Sequence, residues 1–139
     1  MRAALLLFAV LLTSCDVGLN GKKCQNMHFE RFAVADRVVV TIESKSVGNP
    51  IVDLAKIHDV VVFAEIHSDD WSVDAMGPPV ARLRVDFYQG GRFLGDFGVG
   101  AEFASAQGCD DFQSRTLLKS EVAQFAQLLG VAESEAKWK

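Results

Sequence analysis

The sequence predicts an α+β fold: an antiparallel sheet of about four strands with two amphipathic helices packed on one face. Three observations carry this expectation. Strict alternation puts Ala81, Leu83, Val85 and Phe87 on one side of a strand and Arg82, Arg84, Asp86 and Tyr88 on the other. Gln89-Gly90-Gly91-Arg92 follows as a hairpin turn, because glycine accepts the positive φ that such turns require. Two stripes at helical spacing, Ile51-Leu54-Ile57-Val61-Ala64 and Val122-Phe125-Ala126-Leu129, lie on either side of this hairpin in the chain.

In chain order, Arg2 comes first, then an unbroken apolar run from Ala3 to Leu12. A helix of that length reaches ~15 Å, about half of a ~30 Å hydrocarbon core. A permanent span does not fit; the apolar core of a secretory signal does. The run ends in Leu12-Thr13-Ser14-Cys15, which resembles the lipobox of bacterial lipoproteins. That resemblance implies cleavage before Cys15, a diacylglycerol on its thiol and a further acyl chain on the new amino group. Two or more chains hold a protein on a membrane where one does not. Asp16 resembles the inner-membrane retention signal of enterobacterial lipoproteins. The competing readings are cleavage elsewhere by a general signal peptidase, or a helix retained in the core. On the lipoprotein reading, residues 1–14 are a signal peptide and 15–23 the lipidated cysteine and its tether. Residues 24–139 then form a single domain in the cell envelope, facing the periplasm or the exterior.

With Cys15 acylated, Cys24 and Cys109 remain as an even pair in an oxidising compartment. A disulfide between them is the expectation, against two free thiols or pairing with a partner protein. The chain-entropy model gives such a long loop at most ~4–5 kcal/mol of stabilisation. The formal charge of −4 becomes −5 once Arg2 is removed. No basic stripe exists to neutralise phosphates, which argues against a nucleic-acid partner.

Phe29 and Phe32 fit a helical turn and equally a segment laid across the sheet. Arg37–Glu43 reads as a strand with Val38, Val40 and Ile42 on one face. Ser44–Gly48 turns the chain. Asn49-Pro50 signals a helix start, and the stripe extends that helix to about Ile66. A loop over His67–Pro79 holds Asp69, Asp70 and Trp71. After the hairpin, Phe93–Phe103 returns as one strand with Phe93, Phe97 and Val99 in phase, and Phe112–Leu118 is a further strand. Ser120 caps the last helix and Gly130 ends it.

Few arrangements suggest chemistry. His58 and His67, nine residues apart, fall on opposite sides of a helix. His67-Ser68-Asp69-Asp70 lacks ligand geometry and reads as a solvated loop, so no metal and no cofactor is expected. The glycine-rich run Gly90–Gly100 has neither the Lys-Ser/Thr of a phosphate loop nor a following helix. Its glycines fit a bulge or the close approach of another backbone. The serines lack a nucleophile elbow. Trp71 fits a lid over the core, and also an exposed binding anchor. Phe93 and Phe97 are the other candidate binding residues. The expected function is a non-catalytic binding module for an envelope protein or polymer. The alternatives are a small hydrolase using Asp69, Asp70 or Asp110, and a structural part of an envelope assembly.

Overall fold

The computed structural model describes residues 27–73, 80–108 and 111–132. Its centre is the expected hairpin. Strands β4 (Leu83–Gln89) and β5 (Arg92–Val99) flank Gly90 and Gly91, whose φ values of 54° and 86° make the two-residue turn. Strand β1 (Arg37–Ile42) pairs antiparallel with β4, so Val40 stands opposite Val85. Beyond β5 come β6 (Phe103–Gly108) and β7 (Asp111–Thr116), again antiparallel.

Two-residue strands finish both edges: β2 (Lys45–Ser46) beside β1, and β3 (Ser72–Val73) beside β7. The sheet therefore has seven strands in the order β2-β1-β4-β5-β6-β7-β3, not about four. Strands of two residues show no alternation, so composition could not reveal them. The stretch Phe93–Phe103 is not one strand either. It breaks where the Gly100 N–H donates to the Phe103 carbonyl at 2.9 Å. The Phe103 ring fills the space that a side chain at position 100 would need.

One face of the sheet is apolar. Val40, Val85, Phe97, Ala106 and Gln113 form a continuous cross-strand row on it, and all five are buried. Helix α1 (Leu54–Ile66) and helix α2 (Lys119–Leu129) both pack here. Phe63 of α1 and Phe125 of α2 have ring centroids 4.7 Å apart, and each meets the Phe97 ring, at 6.1 and 5.4 Å. Burying such a side chain contributes ~1.5–3 kcal/mol, so this three-ring contact is the main tie between helices and sheet.

The start of α1 differs from the expectation. Asn49-Pro50 does not open the helix. Ile51 instead exchanges both backbone hydrogen bonds with Val38, at 2.8 and 2.9 Å, and shields the edge of β1. Asp53 is the N-cap, its Oδ1 accepting from the Ala55 N–H at 2.9 Å and from the Lys56 N–H at 3.4 Å. Leu54, part of the sequence stripe, is exposed as a result, whereas Ile57, Val61 and Ala64 are buried. Ser120 likewise does not cap α2; that position falls to Leu118, whose N–H donates to Glu121 Oε2 at 2.6 Å. Gly130, at φ 73°, ends α2, and the Val131 N–H returns to the Ala126 carbonyl.

Phe29 and Phe32 flank a single 3₁₀ turn, Glu30–Phe32, and plug the end of the core. Phe32 stacks on Phe87 at 4.1 Å with the rings nearly parallel. It fits only because position 95 is glycine: a Cβ there would lie 2.9 Å from the Phe32 ring.

Candidate functional site

Alternation sends the opposite set of side chains to the face on which neither α1 nor α2, the helices among the described residues, packs. A β-bulge between Phe87 and Tyr88 then changes the phase of β5. Phe87 pairs with Gly95 and Tyr88 with Phe93, leaving Leu94 as the extra residue. Phe93 is therefore out of phase with Phe97, contrary to the simple spacing. Phe97 is fully buried under the helices, while Phe93 points outward and is 50% exposed.

On the turn side of the bulge, the hairpin register builds an aromatic strip across three strands. Arg37, Tyr88 and Phe93 are successive cross-strand partners. The Arg37 guanidinium carbon sits 4.6 Å from the centre of the Tyr88 ring, and Tyr88 meets Phe93 edge-on at 5.6 Å. The cation–π and edge contacts each add ~0.5–1.5 kcal/mol and hold the rings in place. Phe112, opposite Gln107 on β7, adds a further ring on this face and is 49% exposed.

The next row carries charge. Val39, Asp86 and Asp96 are cross-strand neighbours. Asp86 is buried and ion-paired with Arg84, Nε to Oδ1 at 3.0 Å. Asp96 faces Asp86, and like charges directly opposite are unfavourable. Burial first, and then the Asp86 charge, push the Asp96 carboxyl above the usual aspartate range, against the pull of Arg84 and Arg31. The upper part of the face is closed: the Ala81 methyl and the Ser105 hydroxyl leave no room for a side chain on Gly98. What stays open is a strip of rings and guanidinium beside a carboxylate pair.

The other residues singled out from the sequence fall elsewhere. Trp71 is fully buried. Its indole N–H donates to the His67 carbonyl at 2.7 Å, and its ring meets Phe29 and Phe97. It lids the core and offers no surface to a ligand. His67 is not in a solvated loop but is the buried C-cap residue of α1. Its Nδ1 lies 2.7 Å from the Phe63 carbonyl and its Nε2 3.1 Å from Glu121 Oε1. Glu121 is held below the ordinary glutamate range, first by the Leu118 N–H and then by His67 against a desolvation penalty. A carbonyl of α1 thus faces one ring nitrogen and a carboxylate of α2 the other, so the ring bridges the two helices. His58 is exposed beside Asp59.

Asp69 and Asp70 are exposed at the end of α1. Cys15, Cys24, Cys109 and Asp110 lie outside the described residues. Among the described residues no three His, Cys, Asp or Glu side chains are placed to hold a metal ion, and no helix is long and apolar enough to cross a membrane. A shallow groove of about 480 Å³ on α2 is lined by Ser120, Ala123, Gln124, Gln127 and Val131, a set with no acid, base or nucleophile pair.

Sequence reasoning missed Arg37, Tyr88, Asp86, Asp96 and Phe112 as a group. Alternation did place Tyr88 and Asp86 together, and the two-residue turn brings Phe93 opposite Tyr88; only the bulge, which no residue type announces, brings Asp96 opposite Asp86. Comparison with known proteins found no matching family, no matching curated protein and no matching solved structure.

Proposed function

We propose that this protein is a lipid-anchored module of the bacterial envelope that binds an envelope protein or polymer, without catalysis, through the helix-free face of its sheet. The observation that carries the binding reading is the exposed strip Arg37–Tyr88–Phe93 with Phe112 beyond it. Rings held edge-on, with an arginine above them, are the residue types over-represented at recognition surfaces. Fixing them on strands spares a partner the cost of ordering them. The anchor rests on Leu12-Thr13-Ser14-Cys15 and the apolar run before it.

A Cys24–Cys109 disulfide belongs to the same reading. It is supported by the Arg31 Nη2 donating to the Gln107 carbonyl at 2.7 Å, which ties the segment after one cysteine to the strand before the other.

A photo-crosslinking residue at Phe93 or Phe112, introduced in living cells, tests the surface. Defined adducts are expected from both positions and none from Leu54, which is more exposed than either but lies on α1. Adducts from Leu54 alone, or from no position, would refute the assignment of this face.

A further inference from the structure

We propose that the pole where α1 ends and α2 begins rests on the lipid surface that holds the protein, with Ile66 and Leu118 entering the headgroup region of a zwitterionic bilayer; this builds on the anchor reading above. A continuous path of hydrogen bonds defines that pole. The Met27 N–H, where the described chain begins, donates to the Ser68 carbonyl at 2.8 Å. The neighbouring His67 reaches Glu121 through Nε2 at 3.1 Å. Glu121 accepts from the Leu118 N–H at 2.6 Å. The incoming chain, the last turn of α1 and the first turn of α2 are thus joined at one place.

Two large apolar side chains stand at that place with no apolar cover. Ile66, the last residue of α1, is 70% exposed, and Leu118, the N-cap of α2, is 66% exposed. Cys15 precedes Met27 by twelve residues. Twelve residues span ~40 Å at most. The chain from Cys15 enters the described domain at this pole, through Met27. Val52 and Leu54 are also exposed, but at the other end of α1, ~20 Å away along the helix axis.

Charge selects the kind of surface. Glu65, Asp69 and Asp70 are exposed near the end of α1, and Lys119 is paired with Glu102 at 3.4 Å. Among the described residues the pole has no excess of cations to draw it to anionic lipid, so their attraction to a bilayer is apolar insertion, which is insensitive to salt.

The test uses the full lipidated protein in phosphatidylcholine vesicles whose acyl chains carry bromine near the headgroup end. Tryptophan is placed by Ile66→Trp, by Leu118→Trp and, as the far-end control, by Leu54→Trp. The emission of the parent, from Trp71 and Trp138, is subtracted. Quenching of about twofold is expected at 66 and 118, and little at 54, as for side chains seated in the interface. Equal quenching at all three, or none at 66 and 118, overturns the inference. The mass of the mature N-terminus separates the two layers of the argument. An acylated Cys15 with unquenched Trp at 66 and 118 removes only the orientation, whereas an unacylated Cys15 removes the anchor and the orientation with it.

Discussion

At the level of single residues, Asp96 shows how a site can be written into a sheet at the expense of stability. Its carboxyl sits across from Asp86 and is partly desolvated, and both effects favour the protonated form. A carboxyl whose pKa is raised on folding binds its proton more tightly in the native state. Its contribution to stability is therefore greatest at low pH and falls as pH rises from the unfolded value, ~3.9, through the folded one. Replacing Asp96 by asparagine removes that titration. The Asp96→Asn variant is expected to melt at a higher temperature than the parent at pH 7, with the gap closing below about pH 4. Thermal melts across pH by circular dichroism measure this. A variant that melts lower at pH 7 would show that the carboxylate is a net stabiliser through Arg84.

Among the elements, the joint between α1 and α2 depends most on one polar pair. His67 closes the C-terminal end of α1 and its Nε2 lies 3.1 Å from Glu121, which stands in the first turn of α2, where an anion is favoured. Glu121→Gln keeps an acceptor for the Leu118 N–H but loses the charge. It is expected to cost about 1–2 kcal/mol at neutral pH, the scale of a charge-assisted hydrogen bond. Because the folded carboxyl lies below its ordinary value, its stabilisation is present above about pH 4.5 and lost as pH falls through the folded value. Urea titrations should therefore show the parent losing stability faster than Glu121→Gln on acidification. Parallel losses would mean that the pair does not couple the helices.

The elements also mark what a sequence can disclose. The β4–β5 hairpin, β1 and the buried stripe of α2 were legible because period and glycine placement repeat over six or more residues. The helix start at Asp53 was hidden by a stronger local signal, Asn49-Pro50, which the chain spends on an edge contact with β1. β2 and β3 were invisible because they exist only as partners of other strands. The candidate site was half legible. Composition nominated Phe93 and Phe97 together, but the extra residue Leu94 sets them on opposite faces, and Phe93's neighbour Arg37 depends on the β1–β4 register.

For the whole molecule, the proposal places a folded domain on a fatty anchor, and that placement is separable from everything in the fold. Cys15→Ser leaves the described residues untouched. It is expected to move the protein from the membrane pellet to the soluble fraction, with its melting temperature unchanged. Fractionation with immunoblotting measures the first and circular dichroism the second. A variant that still pellets would mean that something other than acyl chains holds the protein.

The sheet closes at both sides with strands of only two residues, and Ile51 covers the next stretch of β1. Molecules confined to a bilayer meet one another far more often than molecules free in solution, and long bare margins would then invite them to zip into fibrils. Margins this short give a neighbouring chain almost nothing to continue. On the anchor proposal, such margins let the protein crowd on a bilayer without polymerising, and lengthening β3 by design should be the quickest way to make it aggregate.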